Sequence, residues 1–244
     1  MDVVILAGGR CDDELRAATG AEFRAEIEIG GERLVDTVLN ATRPLGEAIL
    51  VGGPEGLGAR QVPAGENFCD SLRKGLEQVT TDQFLLVTVD LPCLTTQALQ
   101  DFIDRCEPKA GLNYPIVAIE MCDEMFPGMK RTTLKLREGV FTGGNVALMD
   151  TAMMRKAVPI MEKAYELRKK PLRLAMIVGI GVLGRVVLGQ IVPKTLDLPS
   201  LERALGKFLK VPVHAVPTDF AELGADLDKA DQYEIFQRLK KVGM

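Results

Sequence analysis

The chain of 244 residues has no tryptophan, a single histidine and only five cysteines, none of them in a Cys-x-x-Cys pair. An odd cysteine count without paired Cys/His spacing supports neither a zinc site nor a disulfide framework. His214 alternates within a short apolar stretch, has no partner motif and reads as structural. A net positive charge is also lacking: the formal net charge is −4, whereas nucleic-acid binders show a clustered basic face, so no nucleic-acid partner is expected. The longest apolar segment, Leu172–Val192, is broken by Arg185, and its charge-free part, Leu174 to Gly184, falls short of the ~20 residues of a spanning helix. No membrane span is expected, and a contact with a second copy, as a homodimer, is the alternative use of that segment. The amino terminus has no basic region and too short an apolar run for a signal peptide, so the expected location is cytoplasmic. There is no internal repeat.

What is present is an alternation of strands and helices, in a length that suits one substantial core. Val3 to Leu6 read as a buried strand that runs into Gly8 and Gly9. Leu34, Val35, Val38 and Leu39 recur at helical spacing. Ala48 to Val51 is a strand ended by Gly52-Gly53-Pro54. Phe68, Leu72, Leu76 and Val79 mark a helix, and Phe84 to Val89 the next strand. Thr96 is placed to cap a helix with the apolar face Leu99, Phe102, Ile103 and Cys106. Ile116 to Met121 and Val146 to Met149 read as further strands. Residues 151–212 run helix after helix, the last over 200–209 with Ser200 as its cap. A strand from Val211 to Val216 and a helix over 229–241 close the chain. The expected fold is a three-layer, doubly wound, mostly parallel α/β sheet, one domain over 1–244 with 151–212 as a mainly helical insert.

Chemistry concentrates at strand ends. Leu6-Ala7-Gly8-Gly9 places backbone N–H groups with little side-chain obstruction at the carboxyl end of the first strand, suited to phosphate oxygens. Asp90 ends the strand Phe84 to Val89 just before Pro92, and Asp226-Leu-Asp228 precedes the last helix. Strand-end carboxylates offer the hard oxygen ligands that Mg²⁺ takes. Asp228 is also placed to cap the last helix, and Asp226 is its nearby competitor for a metal. A literal Gly-x-Gly-x-x-Gly at Gly179–Gly184 would by itself suggest a dinucleotide fold. It lacks a second strand–helix–strand unit, so a NAD-dependent oxidoreductase is the weaker alternative.

Leu-Ala-Gly-Gly9, Val-Asp90-Leu-Pro92, Thr-Gly-Gly-Asn145 and Leu-Asp228-Lys-Ala-Asp-Gln-Tyr, in that order, resemble the MobA-like NTP transferases. The resemblance covers about residues 1–150 and 213–241. It implies a nucleotidyltransferase that moves a nucleoside monophosphate from an NTP, with GTP or CTP as candidates and GTP the first, to a phosphorylated acceptor, molybdopterin first among these. It implies nucleotide contacts from Leu6, Ala7, Gly8, Gly9 and Arg10, Mg²⁺ at Asp90 and Asp228, base and ribose contacts from the segment holding Asn67 and Ser71, and acceptor contacts from Asn145. Helix capping is the competing role for Asn67. The family's loop continues through an arginine to a phosphate-contacting lysine. Here Arg24 falls at the lysine position, and arginine is not a like-for-like replacement. The family's threonine after the second aspartate is Lys229. These departures leave open a second function on the same fold, a catalytically weak nucleotide-binding regulator or scaffold.

Overall fold

The structure is a computed structural model that describes residues 1–167 and 196–241. The apolar segment 172–192, with its glycine fingerprint at Gly179–Gly184 and its suggested dimer contact, lies outside the described residues.

β1 (Asp2–Leu6) leads through the glycine loop to α1 (Asp13–Thr19) and a 3-10 turn (Arg24–Glu26). A small hairpin of β2 (Glu28–Ile29) and β3 (Glu32–Arg33) precedes α2 (Leu34–Thr42). Next come β4 (Glu47–Val51), β5 (Arg60–Val62), α3 (Phe68–Gln78), β6 (Gln83–Thr88), α4 (Thr96–Arg105), β7 (Leu112–Ala118) and α5 (Ile119–Met125). β8 (Leu134–Lys135), β9 (Val140–Gly143) and β10 (Val146–Asp150) lead to α6 (Thr151–Glu166). The remaining described elements are α7 (Leu198–Leu209), β11 (Val213–Thr218) and α8 (Ala230–Lys241).

β5, β4, β1 and β6 run parallel in that spatial order, and β11 runs parallel to β7. β10 enters antiparallel between β6 and β7. The sheet is mostly parallel, as the alternation suggested, and mixed through the antiparallel pairing of β8, β9 and β10. β8, β9 and β10 follow each other without intervening helices, and such short connections do not allow the crossover that parallel pairing needs.

β1 shows how the two helical layers are held. Val3 and Ile5 face one side and join Val35 and Val38 of α2 and Leu99 and Phe102 of α4. Val4 and Leu6 face the other and meet Leu72 and Leu76 of α3 and Met154 and Ala157 of α6. A strand buried on both faces reads as a continuous apolar run, which is what Val3 to Leu6 shows. Its start is clamped by Asp2, whose carboxylate accepts hydrogen bonds from the Thr80 amide (2.6 Å), the Thr80 hydroxyl (3.0 Å) and the Thr81 amide (3.2 Å). Burial would raise its pKa, but these hydrogen bonds outweigh burial and hold it below the usual carboxylate range.

A third cluster matters most for the site. Leu15 of α1, Ile27, Ile29, Leu34, Phe126 and Phe236 of α8 are all buried together. Phe126 and Phe236 meet edge to face with centroids 5.7 Å apart. This cluster binds the loop after β1 to the last helix, although the two are far apart in sequence.

Several local expectations shift. The cap of α4 is Thr95, which accepts from the Ala98 amide at 3.1 Å. Thr96 instead donates to the Ala41 carbonyl. α7 is capped by Asp197, which accepts from the Ser200 amide at 2.9 Å, so Ser200 is inside the helix. The strand expected over 116–121 runs from Leu112 to Ala118, and Ile119 begins α5. Six consecutive mostly apolar residues fit either period, and the burial of Cys122 and Phe126 decides for a helix there. Phe68, expected on the apolar face of α3, is 45 % exposed at the helix start. The strand expected from Val211 begins at Val213, because Lys210 leaves α7 in the left-handed conformation and the chain needs two residues to turn.

Candidate functional site

The carboxyl ends of β1 and β6 lie side by side, with the Val89 amide donating to the Leu6 carbonyl at 3.1 Å. The two loop glycines have different causes. Gly8 packs against Ala64, just after β5, where a Cβ on Gly8 would stand 2.4 Å from the Ala64 Cβ. Gly8 is thus required by the protein's own packing. A Cβ on Gly9 would meet only the Arg24 Cδ, at an ordinary 3.6 Å. Gly9 is the glycine left open toward the cleft.

Arg24 returns to this loop: its amide donates to the Gly9 carbonyl at 2.9 Å. Its guanidinium then bridges two carboxylates. Nη1 is 2.8 Å from Asp90 Oδ2 and 2.5 Å from Asp228 Oδ1. The remaining oxygen of Asp90 accepts from the Thr88 hydroxyl at 2.5 Å. Burial disfavours the charge on Arg24, but Asp90 and Asp228 outweigh it and hold the side chain more firmly protonated than usual.

A backbone contact brings the aspartates together, beside the bridge from Arg24 and the burial of Leu227. The Leu227 amide donates to the Asp90 carbonyl at 2.8 Å, which places Asp226 and Asp228 on either side of that junction. Carboxylate oxygens from Asp90, Asp226 and Asp228 all lie within 4.8 Å of one another. Asp226 is pushed up to about 6, first by burial and then by the charges of Asp228 and Asp90. Asp228 was also placed to cap α8. In the structure its carboxylate pairs with Arg24, and the amides of Asp228 and Lys229 are met by the Gln232 side chain at 2.7 and 2.8 Å.

Other sequence candidates divide. Asn67 caps α3, accepting from the Cys69 and Asp70 amides at 3.0 and 3.2 Å. The Ser71 hydroxyl accepts from the Gly65 amide at 3.0 Å, so it shapes that loop. Arg10 lies at the surface, paired with Glu22 and stacked 4.8 Å from the Phe23 ring centroid. Asn145 stands at the junction with β6: its carbonyl accepts from the Thr88 amide at 3.1 Å, and its own amide donates to Leu223.

Beyond Asn145, Asp226 and Asp228 opens a cavity of about 830 Å³, walled by Lys130, Thr132, Thr133, Phe141 and Lys229 among others. Lys130 and Lys229 are exposed, and their ammonium groups have no hydrogen-bond or ion-pair partner among the described residues. Arg131 differs. It donates to the Gly224 carbonyl and to Met129 Sδ (2.9 Å) and lies over the Phe126 ring, so it ties this wall to the turn before Asp226. None of Lys130, Thr132 or Thr133 stood out in the sequence. The only signal was a Lys-Arg-Thr-Thr run just after Gly128, with no periodicity to assign it.

Comparison with known proteins bears on the family and the fold. The MobA-like NTP transferase domain matches residues 3–121. A hypothetical transferase from Thermus thermophilus superposes with a TM-score of 0.84 at 35% identity, covering 95% of this chain and 98% of that one. Two more distant structures share the fold. They are 2-C-methyl-D-erythritol 4-phosphate cytidylyltransferase, also from Thermus thermophilus (TM-score 0.58, 17% identity, 98% of both chains), and the inositol-1-phosphate CTP transferase from T. maritima (TM-score 0.54, 14% identity, 98% of this chain and 96% of that one). No curated protein sequence matches significantly. Among the described residues no helix is long and apolar enough to cross a membrane. With its glycine loop, strand-end aspartates and overall fold shared across nearly its whole length, the chain belongs to the MobA-like NTP transferases, a nucleotidyltransferase family.

Proposed function

We propose that this protein transfers a nucleoside monophosphate from an NTP to a phosphorylated acceptor, and that the cleft between the glycine loop and the Lys130–Lys229 wall is where this happens. The observation that carries the reading is the convergence of Asp90, Asp226 and Asp228 between an open backbone loop and a wall with two cations that have no partner among the described residues. Three carboxylates supply the hard oxygen donors that Mg²⁺ takes, and Asp90 and Asp228 are the residues to hold it, with Asp226 beside them. When bound there, the ion would neutralise charge on the reacting phosphates.

In the proposed reaction an oxygen of the acceptor phosphate attacks the α-phosphorus. The new P–O bond forms as the bond to the bridging α–β oxygen breaks, and pyrophosphate leaves with that electron pair. No protein nucleophile takes part. The Ala7 amide is taken by the Val51 carbonyl, so the amides of Gly8 and Gly9 approach the nucleotide phosphates, and Lys130 and Lys229 hold the acceptor's anionic group. Rate then comes from positioning and charge neutralisation. GTP is the first nucleotide to test, from the family resemblance. CTP is the second, since two structures of the same fold are described as cytidylyl or CTP transferases. A molybdopterin-like phosphorylated cofactor remains the first acceptor to try.

Thermal shifts with GTP, CTP, ATP, UTP and NAD, each with and without Mg²⁺, test this on wild type and Asp90→Asn. A ligand that binds only the folded state must raise apparent stability. The expected result is Mg²⁺-dependent stabilisation by one NTP, lost in Asp90→Asn. Stabilisation by NAD alone, or by no nucleotide, would overturn the reading. A second reading, a nucleotide-binding regulator without turnover, is favoured by one observation: Arg24 already pairs with both Asp90 and Asp228. NTP binding indifferent to Mg²⁺ would support it.

A further inference from the structure

On the nucleotidyltransferase reading of this cleft, we infer that Arg24 is a counter-ion latch, filling the seat between Asp90 and Asp228 and keeping divalent cations out until a triphosphate draws it away. The donor set itself suits a hard cation. Its oxygens come within 4.8 Å of one another, and Asp90 is buried at the strand end. Yet one guanidinium nitrogen touches two of the three carboxylates, at 2.8 and 2.5 Å. A divalent ion coordinating the same carboxylates would lie close to that positive charge, and mutual repulsion excludes both from being there together.

Two features make the latch releasable. Arg24 Nε is buried without a hydrogen-bond partner among the described residues. The present pose therefore leaves a donor unsatisfied, a condition that an anionic oxygen would relieve. The stem also passes over the open glycine: Arg24 Cδ lies 3.6 Å from where a Cβ on Gly9 would stand. A side-chain rotation over Gly9 carries the guanidinium from the carboxylates toward phosphates on the loop amides, without moving the backbone. Arginine suits both positions, because its fork matches carboxylate and phosphate alike. Nucleotide and metal then bind with positive coupling, and each raises the other's affinity by the same factor.

Binding of Mn²⁺ alone, followed by electron paramagnetic resonance of the free ion, tests the latch in nucleotide-free protein. Wild type is expected to bind weakly. Arg24→Met, which keeps the apolar stem and removes the charge, is expected to bind Mn²⁺ about tenfold tighter or more, as removal of an adjacent like charge requires. Arg24→Gln, which retains an amide donor for Asp90, is the second variant if Met impairs folding, with thermal melts as the control. Mn²⁺ affinity equal to or weaker than wild type in a folded variant would overturn the latch. Failure of every NTP to stabilise wild type would sink the transferase reading, while the Mn²⁺ comparison would still decide for or against the latch.

Discussion

On the β1 side of the three aspartates, Gly8 and Gly9 offer backbone and no charge, whereas the cavity wall on the other side offers Lys130, Lys229 and a pair of threonines. Both face the same carboxylates. The loop is suited to groups that every nucleotide shares, since backbone amides recognise phosphate without regard to what it carries. The cationic wall depends on side chains, so it is where one acceptor would be told from another. Side-chain recognition is free to change while the loop stays fixed by packing, as Gly8 is by Ala64.

The largest effect should come from the junction between the two sides. Asp90→Asn is expected to lower kcat for pyrophosphate release about 10³-fold, the scale of losing a main electrostatic stabiliser of a transition state. A loss of less than tenfold would remove Asp90 from the chemistry. Next is the cluster beneath the cleft. Phe236→Ala should destabilise by about 3–5 kcal/mol in urea unfolding, the usual range for a buried aromatic. Because Phe236 anchors α8, nucleotide and acceptor binding should fall together. Retention of both would mean that α8 does not hold the two sides in place.

Smaller effects sharpen the contrast. Lys130→Ala and Lys229→Ala should each raise the acceptor KM about tenfold, the scale of one charge-assisted contact. The NTP KM should stay put. A rise in the NTP KM instead would place the nucleotide against this wall and reverse the assignment. The smallest is a pH effect at Asp226. Its folded pKa, about 6, lies above the ordinary 3.8, so the fold favours the protonated form. The associated stability is complete below about pH 4 and is lost as pH rises through 6. Asp226→Asn should therefore melt about 2–6 °C above wild type at pH 7.5, with the difference vanishing near pH 4.

Legibility in the sequence followed the same division. Leu6 to Gly9 and Asp90 could be read because a buried strand must end in a recognisable way, with glycine or a turn-making Asp-Leu-Pro. Asp228 could be read in order but not in role, since a carboxylate before a helix serves equally as cap or ion ligand. Only the Leu227–Asp90 contact, across more than half the chain, decides where it points. The cavity wall could not be read. Lys130, Thr132 and Thr133 lie in a stretch with no apolar period, and an exposed lysine looks the same in sequence whether it faces a cleft or bulk water. Thr95 and Asp197 were missed as caps for a narrower reason. Each sits one to three residues ahead of the hydroxyl residue chosen, and neighbouring Thr, Ser and Asp are equivalent until the helix start is known.

The third hydrophobic cluster also sets a schedule. Arg24 and Asp90 are made before Asp228 and Phe236, and the β1–β6 pairing can bring the first two together while the others are still to come. A partly synthesised chain can therefore assemble the glycine loop and Asp90 while Asp228 and α8 are still missing. Docking of α8 is a contact between distant parts of the chain, the slow kind to form. In the proposed reaction the two substrate sites would thus meet only after α8 docks, once almost all of the sheet is already in place.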